Sequence, residues 1–137
     1  MKAIDVESKK EQIAEIAKKY GLSFMALFGS QATGRVHAKS DVDIAVLGKQ
    51  AVPFDTQTAL WSALSDMLKR DDIEVIDLAT ASPTLMHVVV RDGSLLYEEE
   101  DGDFMKWKLY AIRVWMDTAW LRELTRKSLL EWAKRNA

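Results

Sequence analysis

Apolar residues along the chain follow two alternating spacings, one helical and one extended. Between Ile4 and Tyr20, the residues Ile13, Ile16, Ala17 and Tyr20 recur at helical spacing, and Gly21 supplies a natural stop. The short apolar run SFMALF (23–28) reads as a strand ending at Gly29-Ser30, and DVDIAVL (41–47) as a second strand ended by Gly48. Pro53 and Asp55 open a predicted helix reaching about Arg70, with Leu60, Trp61, Leu64, Met67 and Leu68 on one face. IEVIDL (73–78), rich in β-branched residues, predicts a third strand. Ser82-Pro83 predicts the start of a short helix that Gly93 ends, and SLLYE (94–98) is a candidate fourth strand. An acidic run from Glu98 to Asp103 then precedes one long predicted helical segment over about 104–135. The expected class is α+β, a small mixed sheet flanked by helices with a long C-terminal helix. The order of elements leaves the strand topology open.

Composition narrows the chemistry. A length of 137 residues fits one domain that buries roughly 68% of its unfolded surface. The absence of cysteine excludes disulfides, thiolate metal sites and a cysteine nucleophile, and fits a cytoplasmic setting. The charged opening MKAIDVESKKEQ has no apolar core of the kind a secretory signal needs, so none is expected. No uninterrupted apolar run approaches the ~20 residues of a membrane-spanning helix. The formal charge of -2 hides an asymmetry. Residues 1–103 carry 11 positive and 18 negative side chains, whereas 104–137 carry 8 and 3, together with four of the five tryptophans. The expected division is therefore 1–103 as a core and 104–137 as an extension of the same domain.

The chemistry concentrates in LFGSQATGRVHAKSDVDIAVL, residues 27–47. Asp41 and Asp43 are one residue apart on a predicted strand, which points both carboxylates to one face. Two such charges repel, and a hard divalent cation such as Mg²⁺ resolves the conflict. A bare Asp-x-Asp is usually a pair of solvated surface residues. Here an apolar strand stops at Gly29-Ser30, where glycine permits close approach, serine offers a hydroxyl, and a following helix start presents free N–H groups to an anion. Gly-Ser, ten residues, then Asp-x-Asp arises by chance on the order of 10⁻³ per chain of this length. A Walker A reading of Gly29 to Gly34 fails, because Arg35 and Val36 stand where Lys and Ser/Thr are required.

This spacing resembles the signature of the polymerase-beta-like nucleotidyltransferase superfamily, over about residues 10–97. The short length resembles its minimal nucleotidyltransferase branch, which includes antitoxin partners of HEPN-domain toxins. The resemblance implies Mg²⁺-dependent transfer of AMP from ATP to a hydroxyl, in that branch a tyrosine of the partner toxin. It implies a two-metal site held by Asp41, Asp43 and a third carboxylate, with Gly29, Ser30 and Ser40 at the nucleotide. IEVIDL offers two candidates for that third position, Glu74 and Asp77, which lie on opposite faces of an ideal strand. The family's strand ending aligns with Glu74, a longer carboxylate than the usual aspartate, and Asp77 remains the alternative. Arg35 and Lys39 read first as solvated loop charges. His37 and His87, 50 residues apart, show no metal-ligand spacing.

The C-terminal segment is the second informative stretch. In FMKWKLYAIRVWMDTAWL (104–121), 13 of 18 residues are apolar. Trp107, Ala111, Val114 and Leu121 form one stripe, and Met105, Leu109, Ile112 and Met116 another, so the apolar surface exceeds one face. Such surface is normally covered, which makes this segment the expected docking surface for a HEPN-type partner. The bland alternative is a wide core face within the same domain. Polar and apolar sides are too mixed for a membrane-surface helix, and the basic end (Arg122, Arg126, Lys127, Lys134, Arg135) reads as a solvated face rather than a nucleic-acid site. Two other functions remain: a non-catalytic antitoxin-like binding subunit, or an aminoglycoside-type small-molecule nucleotidyltransferase.

Overall fold

A computed structural model describes residues 5–29 and 42–137. A 3₁₀ turn at Glu7–Lys9 leads into α1 (Lys10–Lys19), followed by β1 (Leu22–Phe28), β2 (Val42–Gly48), α2 (Phe54–Leu68), β3 (Ile73–Asp77), α3 (Pro83–Asp92), β4 (Ser94–Glu98), α4 (Asp103–Asp117) and α5 (Ala119–Arg135). The four strands lie in the order β3-β2-β1-β4. β1 runs antiparallel to both β2 and β4, and β2 runs parallel to β3. A parallel pair requires a crossover, which α2 supplies.

Strand alternation sorts the core into two layers. Met25, Leu27, Val42, Ile44 and Val46 point to one face, where they meet Ile13 and Ala17 of α1 and Leu60 and Leu64 of α2. Phe24, Ala26, Phe28 and Ala45 point to the other, against Met86 and Val89 of α3 and Phe104, Trp107 and Ala111 of α4. A central strand covered on both sides reads as a nearly continuous apolar run, as β1 does. Ala26 and Ala45 are direct register partners, so this second face is shallow where Val89 packs. Phe24 lies 5.0 Å from the Phe104 ring and 5.6 Å from Trp107, which fastens α4 to the sheet.

Caps set the helix boundaries. Ser82 Oγ accepts from the Leu85 N–H at 3.2 Å, and Pro83 opens α3, as the sequence predicts. Part of the acidic run also has a structural task. The Glu98 carboxylate accepts from the N–H groups of Gly102 (3.2 Å) and Phe104 (3.1 Å), placing negative charge at the start of α4.

The single helix expected over 104–135 is two helices, broken at Thr118. Helical periodicity continues through the break, but side chains there compete for the backbone carbonyls. Thr118 Oγ1 donates to the carbonyls of Val114 (2.8 Å) and Trp115 (3.2 Å), a pattern that bends helices. Arg122 locks the bend by donating to Thr118 Oγ1 at 2.8 Å and to the Trp115 carbonyl at 2.7 Å. Its guanidinium carbon lies 3.3 Å from the Trp115 ring centroid, while His87 stacks on the same ring at 4.0 Å. Both contacts are too close for one face, so the indole is sandwiched between α3 and α5. Beyond this joint α5 buries no residue. None of the described helices is long and apolar enough to cross a membrane.

Phe104→Ala is expected to cost about 3 kcal/mol in denaturant unfolding, because it opens a cavity where α4 meets the sheet.

Candidate functional site

The site is built where β1 ends beside the start of β2. Phe28, the last residue of β1, is the register partner of Asp43, and Gly29 follows with φ +76°. A Cβ placed on Gly29 would collide with Oδ2 of Asp43. Glycine is therefore required at this position both by the left-handed backbone and by the approach of a carboxylate. Asp43 is half-buried.

On its other side Asp43 is the register partner of Glu74 in the parallel β2–β3 pair. Neighbouring strands lie about 4.8 Å apart, and laterally paired residues of a parallel ladder share a face. Ala45 and Ile76, two residues further along each strand, pack in the layer with α3 and α4, so Asp43 and Glu74 belong to that face. Glu74 is exposed. Asp77 is on the opposite face and buried. Its Oδ2 accepts from the Val52 N–H at 2.9 Å and its Oδ1 from the Ala79 N–H at 3.0 Å, which ties the entry to α2 and the turn after β3 to one carboxylate.

Two carboxylates side by side near the starts of neighbouring parallel strands supply hard oxygen donors of the kind Mg²⁺ takes, so the described part of the site fits a divalent cation. Among the described residues there is no cluster of three or more potential metal ligands. Ser30, Ser40 and Asp41, with Arg35, His37 and Lys39, lie outside the described residues. His87 is a packing residue, stacked on Trp115.

One pair near this site carried no recognised sequence signal. Lys69 closes α2 in the left-handed conformation (φ 54°), and the next turn holds Arg70 against Asp72, at 2.7 Å from Nε and 2.6 Å from Nη2. The Asp72 carbonyl accepts from the Val42 N–H at 2.8 Å, joining this pair to the beginning of β2, one residue before Asp43. Hydrogen bonding to Arg70 holds the Asp72 carboxyl below the ordinary aspartate value of 3.8. An acid whose folded pKa is depressed contributes stability above its unfolded pKa and loses it as pH falls through the folded value. Acid unfolding is therefore expected to begin at lower pH in Asp72→Asn than in the wild type when both are matched in stability at neutral pH by denaturant, a shift readable by circular dichroism.

The fold and the carboxylate pair now bear comparison with known proteins. The polymerase beta, nucleotidyltransferase family model matches residues 11–102, and the chain belongs to that family. It is 35% identical over 96 residues to the protein adenylyltransferase MntA of Aphanizomenon flos-aquae, covering 64% of this chain and 64% of that protein. It is 33% identical over 92 residues to the protein adenylyltransferase MntA of Shewanella oneidensis, covering 67% of this chain and 63% of that protein. The chain thus matches slightly less than two thirds of the length of each. A crystal structure of a toxin-antitoxin with AMP-PNP is similar at a TM-score of 0.75 and 25% identity, covering 88% of this chain and 98% of that one.

Proposed function

We propose that this chain is a protein adenylyltransferase antitoxin that transfers AMP from ATP to a hydroxyl, a tyrosine of a HEPN-type toxin being the acceptor. The observation that carries this reading is the Asp43–Glu74 register pair beside Gly29, set in a nucleotidyltransferase fold. The names of the two MntA relatives support the reaction, and the toxin-antitoxin crystal structure with AMP-PNP supports both the nucleotide and the kind of partner. On this reading residues 1–103 form the catalytic core, and α4 with α5 extends it toward the partner. The setting is cytoplasmic.

In this mechanism the acceptor oxygen forms a bond to the α-phosphorus as the bond to pyrophosphate breaks. Asp41, Asp43 and Glu74 would hold two Mg²⁺ ions, which when bound would neutralise the triphosphate and the leaving pyrophosphate. Glu74, which is exposed, takes the proton of the acceptor hydroxyl. Gly29 and Ser30 present backbone N–H groups and a hydroxyl to the β- and γ-phosphates, and Ser40 stands before the first aspartate at the nucleotide. Asp77 has a different task, holding Val52 and Ala79 in place.

The test is transfer of label from α-labelled ATP to the co-purified partner, with mass spectrometry of the product. Asp43→Asn and Glu74→Gln are expected to reduce transfer at least about 100-fold while keeping the wild-type unfolding midpoint. Asp77→Asn is expected to keep transfer and lose about 2 kcal/mol of stability. Undiminished transfer by folded Asp43→Asn contradicts the assignment. A partner that is inhibited but never modified contradicts catalysis and favours masking by contact alone.

A further inference from the structure

The outward side of α4 carries an apolar seam that its own fold leaves open. Met105, Leu109, Ile112 and Met116 follow one another at intervals of four, three and four residues, the spacing of d and a positions in a coiled coil. They are 56%, 62%, 41% and 68% exposed. The core-facing stripe of the same helix, Phe104, Trp107 and Ala111, is buried against the sheet, so the seam is a second face rather than a frayed edge of the first. Just past the bend, Trp120 extends the exposed apolar surface at 68%.

The flanking positions select the occupant. With Leu109 and Met116 at a and Met105 and Ile112 at d, the e positions are Lys106 and Arg113 and the g positions are Lys108 and Trp115. Every charged flank is basic. Lys108 lies 4.4 Å from the Phe104 ring centroid, and the Arg113 side chain, 83% exposed, reaches Asp117 at 3.9 Å. A second copy of this chain docked on the seam would oppose lysine and arginine to lysine and arginine, in either helix direction. We infer that the seam of α4 docks an amphipathic helix of another protein, one whose apolar stripe is flanked by Asp and Glu. This inference rests on the proposed partner and names the surface and chemistry by which α4 receives it. The basic flanks both attract the acidic helix and reject self-pairing.

Two lactam-bridged three-heptad peptides test it, each with Leu at every a and d position, one with Glu and the other with Lys at every e and g. Binding to the full chain is read by anisotropy of the labelled peptide. The Glu peptide is expected to bind roughly tenfold or more tightly than the Lys peptide. The double variant Lys106→Glu/Arg113→Glu is expected to reverse that order, and Leu109→Ser to weaken both peptides while leaving the charges in place. Equal binding of the two peptides, no binding of either, or unchanged binding of the Glu peptide to Leu109→Ser overturns the inference. So does a wild-type dimer in sedimentation that Leu109→Ser converts to monomer, since the occupant is then a second copy. Circular dichroism confirms that each variant is folded. ATP binding by the same samples is measured separately, because its loss in the wild type counts against the enzymatic reading and leaves the seam untouched.

Discussion

Asp43 and Glu74 are adjacent because β2 and β3 run parallel in one register, and most of the remaining architecture serves that pairing. A parallel pair depends on its crossover, so α2 must lie flat on the sheet. Leu60 and Leu64 pack it there, and the Trp61 Nε1–H donates to the Ile73 carbonyl at 2.8 Å, at the head of β3. The Arg70–Asp72 pair and the Val42 N–H bond to the Asp72 carbonyl fix where β3 begins relative to β2. One residue of slip would turn Glu74 toward the apolar layer and separate it from Asp43.

Holding two like charges together also shapes what surrounds them. Gly29 has no Cβ because Asp43 Oδ2 occupies the neighbouring space. The glycine of the Gly-Ser pair reads in the sequence as room for a ligand, yet the contact that demands it comes from the protein's own carboxylate. The opposite face of the sheet uses a carboxylate differently. Buried Asp77 is satisfied by two backbone N–H groups and serves the chain's geometry. Three residues on one strand thus separate an exposed acid from a structural one.

The pattern of apolar positions made the elements legible, because each strand and helix buries a face whose period matches its geometry. Strand alternation placed Glu74 and Asp77 on opposite faces but could not say which face met Asp43. That depends on the parallel register of β3 against β2, which pairs Glu74 with Asp43. The break at Thr118 was hidden for a similar reason. Trp115, Thr118 and Arg122 fit an uninterrupted helix by propensity, and only their mutual contacts and the His87 stack divide it. The wide apolar circumference of residues 104–121 combined two surfaces, the stripe around Trp107 that closes the core and the stripe around Leu109 that remains exposed. The charge asymmetry at residue 103 therefore follows a physical division: carboxylates gather beside the sheet, while lysine and arginine border an open helical seam.

The central claim is that Asp43 and Glu74 share an ion of the two-metal site beside the triphosphate. A crystal structure with Mg²⁺ and a non-hydrolysable ATP analogue tests it most directly. The expected result places a carboxylate oxygen of each residue about 2.1 Å from Mg²⁺, with the triphosphate beside Gly29. A nucleotide bound with its triphosphate elsewhere, or a site in which Glu74 touches neither ion, contradicts the account.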